Sequence, residues 1–240
     1  PDGININDHC GSTHMEALQK AVVAEGADLG LAFDGDADRC LAVDETGAIV
    51  DGDQIMVILA HELLRRDALR KSSLVTTVMS NIGLHQAMRR AGGQVVVTAV
   101  GDRYVLEAMQ QQNLSLGGEQ SGHIIFGEHS TTGDGLMTGL QLLAAVKRNV
   151  GGLKKLGGLM VRFPQVLVNV RVRSKSGWEQ NENIAAAVRQ AETALGEDGR
   201  VLVRASGTEP LIRVMAEGPD QAKLEELAER VAVTIQAELN

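Results

Sequence analysis

Aromatic side chains are almost missing from this chain: 240 residues include one Trp, one Tyr and three Phe. These five (Trp178, Tyr104, Phe33, Phe126 and Phe163) are too few and scattered to build stacking platforms for bases or sugar rings. Any carbohydrate must then be held by charges and hydrogen bonds. Cysteine is equally scarce, with only Cys10 and Cys40, no CxxC and no metal-like His/Cys spacing. That usage suits a reduced, cytoplasmic chain. Basic residues are in deficit, 23 Lys and Arg against 31 Asp and Glu for a net charge of −8, which argues against a nucleic-acid partner. No apolar run approaches the ~18–20 residues of a membrane span, and residues 1–30 lack a basic-then-apolar signal peptide. The start at Pro1-Asp2-Gly3, without Met, reads as though cut from a longer chain.

What is present is a globular composition, 44% apolar and 22% charged, enough to bury on the order of 70% of the extended surface. The pattern alternates helices and strands, which favours α/β layers. Met15, Leu18, Val22 and Val23 have helical spacing, with Ser12 or Thr13 as a cap. Leu29–Phe33 and Cys40–Val43 read as strands flanking an acidic loop. A helix follows over Asp53–Arg66, then strand, helix, strand, helix over Leu74–Met79, Leu84–Ala91, Gln94–Ala99 and Tyr104–Gln111. Short strands flank Gly118–His123, and a longer helix spans Gly133–Arg148 with Leu136, Leu140 and Leu143 on one face. The glycines at 151, 152, 157 and 158 suggest a junction. Beyond it Gln165–Arg173 reads as a strand, Glu179–Leu195 as a helix, Arg200–Arg204 and Leu211–Glu217 as paired strands, and Gln221–Leu239 as a closing helix.

Three polar loops stand out. Asp34-Gly-Asp-Ala-Asp-Arg39 packs three carboxylates at i, i+2 and i+4 into a tight turn, where repulsion is costly unless a cation sits among them. Oxygen ligands favour Mg²⁺ or Ca²⁺ over zinc; an acidic solvated turn is the plain alternative. A calcium hand is excluded, because Arg39 stands where its loop needs Gly and the flanks read as strands. Gly117-Gly-Glu-Gln-Ser-Gly-His123 places an acid, an amide, a hydroxyl and an imidazole between glycines, which suits a polyhydroxy or amino sugar; an ordinary hairpin fits too. Arg204-Ala-Ser-Gly-Thr-Glu-Pro210, with Arg213 beyond it, matches a phosphate dianion through two guanidinium groups, two hydroxyls and a Gly amide. Its plain alternative is a polar hairpin. Gly101-Asp102-Arg103 precedes a helix, so Asp102 reads as an N-cap.

In this order the three loops resemble the metal, sugar and phosphate loops of the α-D-phosphohexomutase superfamily. Supporting segments include Val50-Asp-Gly-Asp-Gln-Ile-Met56, Val100-Gly-Asp-Arg-Tyr-Val-Leu-Glu107, Thr131-Thr-Gly-Asp-Gly135 and Phe163-Pro-Gln-Val-Leu-Val-Asn-Val170. The resemblance implies mixed α/β layered phosphohexomutase domains, a partial domain 2 (1–48) and a complete domain 3 (49–160), followed by a smaller α+β domain 4 (161–240). Gln120 points to the amino-sugar branch, which interconverts glucosamine 6-phosphate and glucosamine 1-phosphate through a phosphoserine and a 1,6-bisphosphate; the mannose- and glucose-phosphate branch tends to carry Met there.

The implied roles are Mg²⁺ on Asp34, Asp36 and Asp38, catalytic support from Arg39, sugar contacts from Glu119, Ser121 and His123, and phosphate contacts from Arg204, Ser206, Gly207, Thr208 and Arg213. The implied partners are a phosphorylated amino sugar and an N-terminal half carrying the phosphoserine, without which this chain is expected to be inactive. An exposed sheet edge would also favour a homo-oligomer. A non-catalytic phosphosugar-binding module remains a rival from another class. Ala37 departs from the family's usual Gly; a methyl is accommodated there if φ stays negative, so a small adjustment is expected in place of metal loss.

Overall fold

Two hydrophobic periods, 3.6 in the helices and 2 in the strands, set which faces turn inward. The computed structural model describes residues 3–207 and 209–240 and divides into two units, Pro1–Val161 and Arg162–Asn240. The first unit begins with helix α1 (Glu16–Glu25), which Gly26 ends in the left-handed conformation at φ 61°. Strands β1 (Leu29–Phe33), β2 (Cys40–Asp44) and β3 (Ile49–Val50) form an antiparallel sheet in that order. The acidic loop is therefore the β1–β2 connection.

Helix α2 (Gly52–Arg65) starts with a capping box. Asp51 accepts from the Gln54 backbone N–H, and the Gln54 side chain accepts from the Asp51 N–H. A second sheet takes strands in the order β5-β4-β6-β7: β4 is Ser73–Thr77, β5 Gln94–Thr98, β6 Leu116–Gly118 and β7 Ile124–Phe126. β4 is buried along its whole length and parallel to both neighbours, while β7 returns antiparallel to β6. The parallel pairs need crossovers, which α3 (Ile82–Arg90) and α4 (Asp102–Gln112) supply. Helices α5 (Gly135–Arg148) and α6 (Gly152–Gly157) complete the unit.

Its core gathers Ile55, Met56 and Ile58 of α2 with Leu74, Leu84, Leu116, Ile124 and Leu142. Each such side chain gains roughly 1.5–3 kcal/mol from burial. The second unit packs β8 (Gln165–Arg171), β10 (Leu211–Glu217) and β9 (Arg200–Ala205), in that order and antiparallel, against α7 (Glu182–Leu195) and α8 (Gln221–Leu239). The architecture is thus mixed α/β layers followed by a smaller α+β unit. Among the described residues no helix is long and apolar enough to cross a membrane.

Four local expectations are corrected. Gly11–Thr13 forms its own 3₁₀ turn, so neither Ser12 nor Thr13 caps α1, which starts after Met15 without a side-chain cap. Residues 152–157 form α6 instead of a junction, and the division between units falls after Val161. Asp102 is the first residue of α4; Gly101, at φ 130°, is its N-cap. The Leu136, Leu140 and Leu143 face of α5 points outward, while Thr138, Gly139, Leu142 and Ala145 point in. Small residues win that side because α5 lies close to β1: a Cβ on Gly139 would stand 2.9 Å from Leu31 Cδ1.

Cys40 is fully buried, and burial pushes its thiol up to about 12, whereas Cys10 is exposed. Only the thiolate is nucleophilic, so Cys40 stays inert far above neutral pH. A thiol reagent at pH 8 is expected to titrate one cysteine in the native chain and two after denaturation, as counted by mass spectrometry.

Candidate functional site

The acidic turn is held from three sides. Within it the Ala37 N–H donates to the Asp34 carbonyl (3.2 Å) and the Arg39 N–H to Asp34 Oδ1 (3.0 Å). From α5, the Gly135 N–H donates to the Ala37 carbonyl at 2.9 Å, and a Cβ at Gly135 would lie 2.4 Å from the Arg39 carbonyl oxygen. From the β6–β7 loop, Arg39 pairs with His123 as an antiparallel bridge and Gly122 accepts from the Cys40 N–H at 3.1 Å. Gly122 adopts φ 93°, and a Cβ there would meet the Cys40 carbonyl oxygen at 2.4 Å. Only glycine permits both.

Asp34, Asp36 and Asp38 each bring a carboxylate oxygen within 4.8 Å of the others. Asp38 Oδ1 is buried and accepts no hydrogen bond among the described residues. An all-oxygen donor set with an unsatisfied buried ligand atom fits a hard divalent cation such as Mg²⁺. Arg39 Nε lies 3.7 Å from Asp34 and 3.9 Å from Asp38, placing a guanidinium beside the cluster. Glu45 is engaged elsewhere: its Oε2 accepts from the Lys154 N–H at the start of α6.

His123 is nearly buried, and both ring nitrogens are used. Nε2 accepts from the Gly133 N–H at 2.9 Å, which leaves the proton on Nδ1 to donate to Asp38 Oδ2 at 2.8 Å. This imidazole therefore orients a carboxylate of the acidic turn. Asp102 Oδ2 lies 3.9 Å from Nε2.

The rest of the β6–β7 loop rests on helix starts. The Gly52 N–H of α2 donates to the Gln120 carbonyl at 3.1 Å, and a Cβ on Gly52 would fall 2.5 Å from the Glu119 carbonyl oxygen. Glu119 Oε1 accepts from the Gly101 N–H at 3.2 Å. Ser121 Oγ and Gln120 Nε2 are buried without a hydrogen-bond partner among the described residues. Such groups cost about 1–3 kcal/mol each until something satisfies them.

The arginine loop belongs to the second unit. Arg204 of β9 lies directly across from Arg213 of β10. Burial, and then the Arg213 charge, hold the Arg204 guanidinium below its ordinary value. Like charges opposite each other in a sheet are unfavourable, and an anion between them reverses the sign. Arg213 Nη2 reaches Glu209 at 3.3 Å, while its Nε is buried without a hydrogen bond among the described residues. Ser206 is buried, its Oγ accepting from the Glu209 N–H at 3.3 Å, and a Cβ on Gly207 would meet open space. Thr208 lies outside the described residues.

Three successive family models of phosphoglucomutase/phosphomannomutase match the chain. Alpha/beta/alpha domain II matches residues 6–47, alpha/beta/alpha domain III residues 51–165, and the C-terminal domain residues 167–233. The chain belongs to this phosphohexomutase family. A phosphoglucosamine mutase of Symbiobacterium thermophilum is 61% identical over 239 residues, covering 100% of this chain and 54% of that relative. The phosphoglucosamine mutase of Thermobifida fusca is 56% identical over 240 residues, with the same two coverages of 100% and 54%. The chain thus spans about half the length of the curated relatives it matches. The N-acetylphosphoglucosamine mutase of Aspergillus fumigatus has the same fold, with a TM-score of 0.79 at 22% identity over 96% of this chain and 53% of that one. A structure of that fungal enzyme with GlcNAc-6P and magnesium gives a TM-score of 0.77 at 24% identity, over 98% and 54%.

Within this phosphohexomutase chain the structure brings Asp34, Asp36, Asp38, Arg39, Glu119, Ser121 and His123 into one region of the first unit. Gly133 and Asp102 join them; in the sequence Asp102 reads only as an N-cap and Gly133 has no assigned role. The signal for Gly133 was the glycine-rich Thr131–Gly135 segment, since a Cβ on Gly133 would stand 2.6 Å from the His123 ring.

Ala37 does not keep a negative φ; it sits at +59° because the turn must bring three carboxylates inward within five residues. A left-handed Ala costs about 1–2 kcal/mol. Ala37→Gly is expected to raise the unfolding free energy by about 1 kcal/mol in urea titrations.

Proposed function

We propose that the three loops are the metal, sugar and phosphate sites of a phosphoglucosamine mutase that interconverts glucosamine 6-phosphate and glucosamine 1-phosphate through a phosphoserine and a 1,6-bisphosphate. The supporting observation is the pairing of the acidic turn with the sugar loop, through the Cys40–Gly122 hydrogen bond and the His123–Asp38 contact. That pairing sets a cation-binding turn beside unsatisfied groups suited to sugar hydroxyls. The high identity to relatives named phosphoglucosamine mutase favours the amino sugar over glucose or mannose. We assign residues 1–48, 49–160 and 161–240 to parts of domains 2, 3 and 4, a division supported by the ranges of the family matches.

Asp34, Asp36 and Asp38 would hold Mg²⁺, which when bound polarises a phosphoryl oxygen and offsets its charge. Arg39 adds a fixed positive charge beside them, the preorganised electrostatics that phosphoryl transfer needs most. His123, with no nitrogen left for a ligand, keeps Asp38 oriented in place of touching the sugar. Glu119 and Ser121 take the sugar hydroxyls. Arg204, Ser206, Gly207, Thr208 and Arg213 anchor the phosphate that is not reacting, turning remote binding energy into alignment.

The phosphoryl carrier is assigned to the N-terminal half that the relatives contain. Mutase activity is therefore expected only when this chain is mixed with the N-terminal half of the Symbiobacterium relative, and turnover by the chain alone would overturn that division of labour. Arg204→Ala should weaken glucosamine 6-phosphate binding by about 2–5 kcal/mol in calorimetry. An unchanged isotherm would return the loop to an ordinary polar hairpin and leave a non-mutase reading in its place.

A further inference from the structure

Lys175 lies in the segment after β8, outside every motif of the sequence, yet it reaches the arginine loop. The Val172 N–H donates to the Pro210 carbonyl at 3.0 Å, so the chain leaving β8 runs beside that loop. Three residues on, Lys175 Nζ donates to the Ser206 carbonyl at 2.6 Å. Ser206 is then held at every polar group. Its N–H donates to the Leu211 carbonyl at 2.8 Å, its Oγ accepts from the Glu209 N–H at 3.3 Å, and its carbonyl accepts from the ammonium.

The Ser206–Gly207 peptide is trans, as every peptide bond among the described residues is, and a trans peptide group is planar. Across such a plane the C=O and the following N–H point in opposite directions. Fixing the Ser206 carbonyl on Lys175 therefore fixes the direction of the Gly207 N–H, away from the lysine. A Cβ on Gly207 would meet open space, so no side chain packs against that face of the glycine among the described residues. A charged donor is the stronger kind of partner for a carbonyl.

We propose that Lys175 is a positioning residue for phosphate, acting through the Ser206–Gly207 peptide to hold the Gly207 N–H ready for an anion beside Arg204 and Arg213. The inference rests on the phosphate reading of this loop and deepens it. A freely rotating peptide could present its carbonyl oxygen to the anion instead, which repels it; the lysine removes that alternative before ligand arrives.

The experiment is titration of the ¹⁵N-labelled chain with inorganic phosphate, followed at the Gly207 amide resonance. Lys175→Met keeps the apolar stem and removes the donor. It is expected to weaken phosphate binding about tenfold and to move the Gly207 resonance already in the phosphate-free chain, with the thermal midpoint unchanged. Lys175→Arg, which keeps a charged donor, should restore both. Unchanged phosphate affinity in Lys175→Met would overturn the proposal. So would weakened affinity with an unmoved free Gly207 resonance, since the lysine would then act as a bare charge. Arg204→Ala run in parallel separates the two levels: if it leaves phosphate binding intact, the phosphate reading itself fails, whatever Lys175 does.

Discussion

Three aspartates confined to five residues repel one another, and the turn exists because neighbouring backbone holds it closed. Besides its own hydrogen bonds to Asp34, peptide groups from outside the turn hold it: the Gly135 N–H on the Ala37 carbonyl, and the Gly122 carbonyl on the Cys40 N–H. Neutral hydrogen bonds of this kind contribute about 1 kcal/mol each. Their value here is geometric. They bring the acidic turn, the start of α5 and the β6–β7 loop into one backbone lattice, and glycine is required at 122 and 135 because a Cβ at either would collide with a carbonyl. A cation bound in that turn therefore stands at a set place relative to Glu119 and Ser121.

The same logic of backbone held by small residues recurs through the first unit. Gly52 lets α2 start directly beneath the β6–β7 loop, and Gly139 lets α5 settle on β1. Helix starts thus serve the loops as well as the core. The second unit works differently, by charge: paired arginines across a two-strand register repel one another, a repulsion an anion would relieve. Mg²⁺ in the turn and phosphate at the arginines are the counter-charges we propose for these two clusters.

Much of this was legible in the residues. Strand and helix spans follow from hydrophobic period, and the closing helix Gln221–Leu239 matches its expected bounds. The acidic turn, the glycine-rich loop and the Ser-Gly-Thr loop between arginines are recognisable because each concentrates unusual chemistry in a few adjacent positions. His123 was expected among the sugar contacts, and its contact with Asp38 was hidden because Asp38 is 85 residues away in sequence. The outward turn of Leu136, Leu140 and Leu143 was hidden for another reason. Apolar spacing identifies a helix face but does not say which face approaches a sheet, and the close side was taken by small residues. Ala37 shows the limit of local rules: its preferred backbone yields when surrounding hydrogen bonds over-determine the turn.

Sequence alone determined the fold class, the order of the three loops and their chemical character, because period, charge and donor type are properties of neighbouring residues. Only the tertiary structure decided that an imidazole serves the acidic turn, that Gly133 sets its tautomer, and that Lys175 reaches the arginine loop. Those are contacts across long stretches of chain, and no local pattern encodes a distance that packing alone creates.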